Sequence, residues 1–69
     1  MDLIAFGKRI KELRLEKSLT AVQVGFPIGV SDSTIINWEN AKRMPLAENI
    51  YKLAKFFGVS SDYLLGLED

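Results

Sequence analysis

The chain has 69 residues, nine basic and nine acidic side chains, and neither Cys nor His. This length fits one domain, residues 1–69, near the lower limit for folding without disulfides or metals. The absent residue types exclude disulfides, zinc sites and haem ligation through His or Cys. The 48% hydrophobic content must therefore supply a single apolar core, and we expect no cofactor.

The sequence contains few of the residue types that enzymes use for catalysis. Without His and Cys the chain lacks the usual general base and the strongest nucleophile, and no Gly-rich phosphate loop appears. The N-terminal sequence MDLIAFGKR contains no apolar run long enough for a signal peptide or a membrane span. We therefore expect a soluble, cytoplasmic protein that is not an enzyme.

The charges are unevenly distributed. All nine cations lie between Lys8 and Lys55 with only five of the nine anions, so this segment carries an excess of four positive charges. The other anions lie near the two ends of the chain. A basic face with an acidic back is one interpretation, and solvated charge without functional meaning is the other.

The first half of the chain predicts three helices. Leu3, Phe6, Ile10 and Leu13 recur at helical steps in a first helix over residues 3–17, for which Asp2 is a suitable N-cap. Thr20 is a suitable N-cap for a short second helix that stops at Gly29. Ser31 caps a third helix from Asp32 to about Glu39, with Ile35 and Trp38 on its inward side.

Two further helices follow. The loop NAKRMP leads to a fourth helix from about Ala47 to Phe57, in which Ile50, Leu53, Ala54 and Phe57 form the apolar stripe. Ser60 caps a short fifth helix that runs through Leu64 and Leu65. Five amphipathic helices with short loops predict a compact all-α domain.

The segment GVSDSTIINWEN, together with FGKRIKELRLEKSLT before it and PLAENIYKLAKFFGVSSDYLLG after it, resembles the Cro/phage-repressor class of helix-turn-helix domains (lambda-repressor-like, XRE-type). The resemblance extends from Phe6 to Gly66. It implies a five-helix lambda-repressor-like fold in which residues 21–28 form the supporting helix and residues 32–39 the recognition helix. It also implies an ion pair between Arg14 and Glu39. Gly25 provides the small residue that the close helix crossing requires.

The supporting helix departs from the family pattern. Ala21 replaces a polar residue that touches a DNA phosphate in the family, so binding should be weaker. Pro27 has no N–H to donate to the carbonyl of Gln23. The second helix should therefore kink there, start late or be replaced by an irregular turn. We expect Phe26, at a usually polar position, to pack into space that a kink opens, with an exposed apolar contact point as the alternative.

The third helix and its end depart as well. Asp32 either accepts a hydrogen bond from a cytosine amino group or only stabilises the helix, because a negative charge in the first turn interacts favourably with the helix dipole. We prefer the second interpretation. Ala41 stands where the family usually has Gly. A left-handed residue there would cost about 1–2 kcal/mol with Ala, so we expect instead that the loop bends differently. Ile36 is a second exposed apolar candidate beside Phe26.

The resemblance implies contacts with double-stranded DNA. The candidates for base edges are Asp32, Ser33 and Asn37, because Asn can pair bidentately with adenine. Lys8 and Arg9 on the first helix are further cations that either reach phosphate or are solvated. The candidates for phosphate are Thr20, Ser31, Thr34, Asn40, Lys42, Arg43 and Lys11.

We therefore expect a sequence-specific DNA-binding domain of a prokaryotic or phage regulator, most simply a repressor. It would bind as a homodimer to half-sites about one helical turn apart. The dimer candidates are Met44, Tyr63, Leu64 and Leu67. From the ending GLED we expect either a truncated repressor or a small stand-alone regulator. The alternative is a protein-binding module or antirepressor on the same scaffold, with Phe26 and Ile36 facing the partner.

Overall fold

The computed structural model describes residues 1–68 and contains five helices and, within these residues, no strand. The helices are α1 (Leu3–Glu16), α2 (Ala21–Ile28), α3 (Asp32–Glu39), α4 (Ala47–Phe57) and α5 (Ser61–Leu65). The predicted all-α, five-helix architecture is therefore confirmed. Asp69, one of the terminal anions, lies outside the described residues.

The helix starts follow from local capping. The side chains of Asp2, Thr20, Ser31 and Ser60 each accept a hydrogen bond from a backbone N–H of the first helical turn. At α2 the cap is reciprocal: Thr20 Oγ1 accepts from Gln23 N at 3.1 Å, and Gln23 Oε1 accepts from Thr20 N at 2.8 Å. Each such cap contributes about 1 kcal/mol because it satisfies an otherwise orphaned amide. All four predicted caps are confirmed.

One apolar core joins all five helices. Phe6 and Trp38 meet edge to face with ring centroids 6.4 Å apart, which links α1 to α3. The predicted inward positions of Ile35 and Trp38 are confirmed. The buried apolar side chains are Phe6, Ile10, Val24, Ile28, Ile35, Trp38, Leu53, Ala54, Phe57 and Leu64.

The helix-turn-helix is closely packed. A Cβ built on Gly25 would lie 2.6 Å from the carbonyl oxygen of Val30, so even alanine would force the backbone of the turn to move. A Cβ on Gly7 would lie 2.5 Å from the carbonyl oxygen of Trp38, which shows an equally close approach of α1 to the end of α3. The expectation of a small residue at position 25 is confirmed, whereas the need for Gly7 was not predicted.

Helix α2 is continuous through Pro27. It begins at Ala21 and ends at Ile28, so the expected alternatives of a late start or an irregular turn are wrong. The reciprocal cap at Thr20 fixes the first turn, and Pro27 occupies the last turn, where only one amide donor is lost. A kink at Pro27 stays a prediction.

The end of α3 also differs from expectation. Ala41 has a left-handed φ of 56°, so the prediction that the loop bends differently here is wrong. The N–H of Lys42 donates to the carbonyl of Asn37 at 2.8 Å, and the N–H of Ala41 donates to the carbonyl of Trp38 at 3.1 Å. These two bonds form a Schellman-type ending that requires a left-handed residue, and Ala41 supplies it.

None of the helices formed by residues 1–68 combines the length and the apolar character that crossing a lipid bilayer demands.

Candidate nucleic-acid interface

Helix α3 presents a largely polar outward face. Asp32 and Ser33 in its first turn are exposed, and Asn37, one turn later, is half-buried. Ile36 lies among them and is 40% exposed. The inward side is formed by Ile35, Trp38 and Glu39, so the face opposite the core carries the hydrogen-bonding groups.

Asp32 is engaged with its own helix. Its Oδ1 accepts a hydrogen bond from the N–H of Ser33 at 2.9 Å, and the side chain lies in the first turn, where a negative charge favours the helix dipole. This geometry supports the interpretation of Asp32 as a helix-stabilising acid. Base recognition by Asp32, and by Ser33 and Asn37, stays a prediction.

Three of the phosphate candidates are capping residues or their partners. Thr20 Oγ1 accepts from the N–H of Gln23, and Ser31 Oγ accepts from the N–H of Thr34 at 3.1 Å. The two hydroxyl oxygens of Ser31 and Thr34 lie 3.0 Å apart. These contacts place the hydroxyl groups at the starts of α2 and α3, and phosphate binding by them stays a prediction.

The remaining phosphate candidates are exposed. Asn40, Lys42 and Arg43 follow the end of α3, and Lys11 lies on α1. Arg43 borders a groove of about 360 Å³ between the end of α3 and the start of α4, together with Met44 and Leu46. A flexible cation beside an exposed helix end is suited to bind a phosphate without sequence preference.

The predicted ion pair between Arg14 and Glu39 is confirmed and is bidentate. Arg14 Nε donates to Glu39 Oε2 at 2.6 Å and Nη2 donates to Oε1 at 3.0 Å. The hydrogen bond to Glu39, opposed by burial, raises the pKa of Arg14 above its usual value. Nη1 donates to the carbonyl of Leu19 at 3.0 Å. One guanidinium therefore holds α1, the entry to α2 and the end of α3 together.

Arg9 contacts the C-terminal segment of the chain. Its guanidinium lies 4.4 Å from the ring centroid of Tyr63, and Nη1 donates to the carbonyl oxygens of Tyr63 and Glu68. Arg9 therefore holds the C-terminal segment on α1, so the solvated interpretation does not describe it, and a phosphate contact by Arg9 stays a prediction. No sequence signal indicated the contact with Tyr63, because it joins residues more than 50 positions apart.

Phe26 is 83% exposed, so the expectation that it packs inward is wrong. Helix α2 stays helical through Pro27, and the ring of Phe26 lies outside the core. Val22, one turn earlier on α2, is also exposed. The alternative interpretation, an exposed apolar contact point, describes the geometry of Phe26.

The dimer candidates separate into two groups. Leu64 is 0% exposed and belongs to the core, so its assignment to a dimer surface is wrong. Its side chain packs α5 against the other helices. A five-residue segment is too short for helical periodicity to predict this burial. Met44 and Leu67 are exposed and Tyr63 is half-buried beneath Arg9, and their role in a dimer stays a prediction.

A helix-turn-helix family model matches residues 10–64. The chain is 39% identical over 54 residues to the cryptic phage CTXphi transcriptional repressor RstR of Vibrio cholerae, covering 78% of this chain and 49% of RstR. It is 30% identical over 66 residues to the transcriptional regulator ImmR of Bacillus subtilis, covering 96% of this chain and 52% of ImmR. The chain thus spans about half the length of these two relatives.

Two solved structures have the same fold. The restriction-modification controller protein C.AhdI of Aeromonas hydrophila superposes with a TM-score of 0.83 at 33% identity, covering 91% of this chain and 96% of C.AhdI. The P22 c2 repressor, solved in complex with a synthetic operator, superposes with a TM-score of 0.82 at 34% identity. That match covers 86% of this chain and 89% of the repressor chain. The chain therefore belongs to the helix-turn-helix family, and its predicted resemblance to the Cro/phage-repressor class is confirmed.

Proposed function

We propose that residues 1–69 form a single DNA-binding domain of a prokaryotic or phage transcriptional regulator, acting as a repressor in the cytoplasm. In this function α3 enters the major groove, where Ser33 and Asn37 reach base edges. The observation that supports this function most directly is the polar outward face of α3. The bidentate pair between Arg14 and Glu39 fixes the orientation of α3 relative to α1. A helix held this rigidly positions short polar side chains well enough to discriminate between bases.

The charge around α3 supports the same function. Lys42 and Arg43 follow its C-terminal end, and Asn40 lies beside them on the exposed surface. Contacts from such side chains to phosphates fix the register of a protein on the duplex and supply much of its affinity. The structural likeness to the P22 c2 repressor, which was solved with an operator, also favours DNA as the ligand.

A homodimer on a two-fold symmetric operator is part of the proposed function. Met44 and Leu67 offer exposed apolar area, and Tyr63 adds a half-buried ring. Dimerisation would set two copies of α3 about one helical turn of DNA apart, since half-site spacing mirrors the spacing of recognition helices.

The test is titration with random-sequence duplex DNA at two salt concentrations, followed by selection of the bound sequences. We expect affinity to fall steeply with salt, because bound phosphates release counterions, and we expect selection to enrich a palindrome. Failure to bind any duplex even at low salt would contradict a DNA-binding function.

Two variants distinguish base contacts from phosphate contacts. Asn37→Ala should cost about 1–3 kcal/mol at one base position of the selected site and relax the preference there. Lys42→Gln should weaken binding equally on all sequences and reduce the salt slope by about one phosphate contact. An equal loss on every sequence for Asn37→Ala would exclude Asn37 from base recognition.

The second candidate function is a protein-binding module, and the exposed ring of Phe26 is the observation in its favour. An apolar interface would respond little to salt, whereas a phosphate-dependent one responds strongly. The matched regulators and the operator-bound structural neighbour favour DNA binding over this alternative.

A further inference from the structure

Ile36 is an aliphatic side chain on the polar face of α3. It is 40% exposed and lies one turn after Asp32 and three residues after Ser33, whereas Ile35 and Trp38 on the same helix are buried. Asn37 follows it directly and is half-buried. Ile36 belongs neither to the buried core nor to the partly buried side chains packed against it, so its aliphatic group is available for contact with whatever α3 meets.

The neighbours of Ile36 favour a small apolar target. Asp32, Ser33, Asn37 and Asn40 surround it on the outward side of α3 and its C-cap, and all four carry hydrogen-bonding groups. A partner that buried this face in a broad apolar interface would have to satisfy each of those groups. The major-groove edge of an A·T pair instead presents one methyl group among hydrogen-bond donors and acceptors. An isoleucine surrounded by polar side chains is complementary to that edge.

We propose that Ile36 is a specificity-determining residue that contacts the 5-methyl group of a thymine in the major groove. This inference rests on the DNA-binding function proposed above. Thymine alone among the four bases presents a methyl group in that groove. Because Ile36 and Asn37 are adjacent on α3, the thymine lies within about two base pairs of the base that Asn37 contacts.

The composition of the helix-turn-helix supports a site read through A·T pairs. Residues 22–40 contain neither Lys nor Arg, the side chains that most often pair with the two acceptors of guanine. Besides Asp32 and Ser33, α3 offers the amide of Asn37, which matches adenine, and the alkyl side chain of Ile36, which matches thymine. Adenine and thymine contacts together would specify A·T pairs within about two base pairs of each other in each half-site.

In the test, the thymines of the selected palindrome are replaced by deoxyuridine one symmetric pair at a time, which removes only the 5-methyl groups. One symmetric pair of replacements should weaken binding of the unaltered protein by about fourfold per half-site, the value expected for one buried methyl group. The same replacements should leave the affinity of Ile36→Ala unchanged, because the contact is already lost in that variant.

Ile4→Ala is the matched control. Ile4 lies on α1 and is 68% exposed, so the substitution removes the same atoms from a different surface. We expect Ile4→Ala to retain the full sensitivity to deoxyuridine. Circular dichroism melting of both variants verifies that Ile36→Ala is folded when its affinity is measured.

The outcomes separate the inference from the function on which it rests. Tight, palindrome-specific binding without deoxyuridine sensitivity at any position, or a selected half-site without thymine, would overturn the role of Ile36 and leave the DNA-binding function intact. The same loss in Ile36→Ala as in the unaltered protein would also overturn it. No binding to any duplex at low salt would overturn both, and would direct attention to a protein partner for this face.

Discussion

Two residues other than glycine adopt a left-handed backbone within residues 1–68. Ser18 has a φ of 55° and Ala41 a φ of 56°, and each lies one residue after the C-cap of its helix. At both positions the following amide donates back to the last helical turn, at 3.0 Å for Leu19 to Arg14 and 2.8 Å for Lys42 to Asn37. A left-handed L-residue costs about 1–2 kcal/mol, so both helix endings carry strain that glycine would relieve.

Ala41→Gly is expected to raise the free energy of unfolding by about 0.5–1 kcal/mol, since part of the relieved strain is offset by the greater freedom of glycine in the unfolded chain. For a domain of this size, the melting temperature should rise by about 4–8 °C per kcal/mol. Urea denaturation and thermal melting measure both quantities.

Ala5→Gly provides the control, because Ala5 lies within regular helix α1. There the same exchange should lower the free energy of unfolding by about 0.5–1 kcal/mol. If both variants were destabilised, the left-handed strain at Ala41 would not limit stability.

Pro27→Ala is expected to raise the free energy of unfolding by about 1–2 kcal/mol. The exposed Pro27 lies inside α2, where alanine would restore an amide donor toward the carbonyl of Gln23. The gain is reduced by about 0.4–1 kcal/mol, because removing proline frees the unfolded chain. The midpoint of urea denaturation measures the change.

Pro45→Ala is the matched control. Pro45 is buried in the loop before α4, where it interrupts no helix, so its removal should lower stability. An unchanged or lower melting temperature for Pro27→Ala would mean that the backbone around residue 27 has adapted to proline.

At the scale of elements, the bidentate pair between Arg14 and Glu39 determines how α1 and α3 meet. Arg14→Lys should lower the free energy of unfolding by about 2–4 kcal/mol although the charge is kept, because an ammonium group cannot make two parallel bonds to Glu39 and a third to Leu19. Urea denaturation of Arg14→Lys measures the loss. A cost below 1 kcal/mol would show that charge alone suffices.

A double-mutant cycle isolates the pair. Arg14→Met and Glu39→Met should each leave a buried charge without its partner, and the double variant should lose less than the sum of the two single losses. Lys17→Met, which removes an exposed cation at the end of α1, should change stability by no more than about 0.5 kcal/mol. Strict additivity would show that the pair has no coupling.

The sequence determined the helices well because their boundaries depend on neighbours a few residues away. Thr20 and Gln23, or Ser31 and Thr34, form their caps within one turn, so residue types alone predict them. The late start and the irregular turn expected at Pro27 were wrong, because the loss of one hydrogen bond was weighed without the packing of Val24 and Ile28, which are buried on the inward side of α2. Tertiary burial outweighed local helix propensity there.

Contacts between distant residues were the least predictable. The assignment of Arg14 and Glu39 came from family resemblance, whereas nothing in the sequence indicated that Arg9 would bind Tyr63 and Glu68. The burial of Leu64 likewise depends on how α5 packs against α1 and α4. The amphipathic pattern of five residues is too short to separate a core side chain from a surface one.

At the scale of the whole molecule, Arg9 connects the two ends of the described chain. Arg9→Met should lower the free energy of unfolding by about 1–2 kcal/mol, because the cation–π contact with Tyr63 and the bonds to two carbonyl groups are lost. Hydrogen exchange of the amides from residue 64 to 68 should accelerate more than that of α3. Mass spectrometry of exchanged peptides detects the difference.

Lys8→Met is the matched control for Arg9→Met, since Lys8 is the neighbouring cation and is exposed. It should leave stability and C-terminal exchange unchanged within about 0.5 kcal/mol. Arg9→Met should also leave the salt slope of DNA binding unaltered, because its guanidinium is occupied by the protein itself. A reduced salt slope would return Arg9 to the phosphate-binding set.

The division of α3 into two sides has a consequence for how such a domain diversifies. Its interior contacts are made by Ile35, Trp38 and Glu39, and its start is capped by Ser31. The outward positions 32, 33, 36 and 37 therefore form a surface that can be exchanged while the scaffold stays intact. A library randomised at these four positions should yield mostly folded proteins with different operator preferences, so the same framework can give rise to regulators that do not recognise one another's sites.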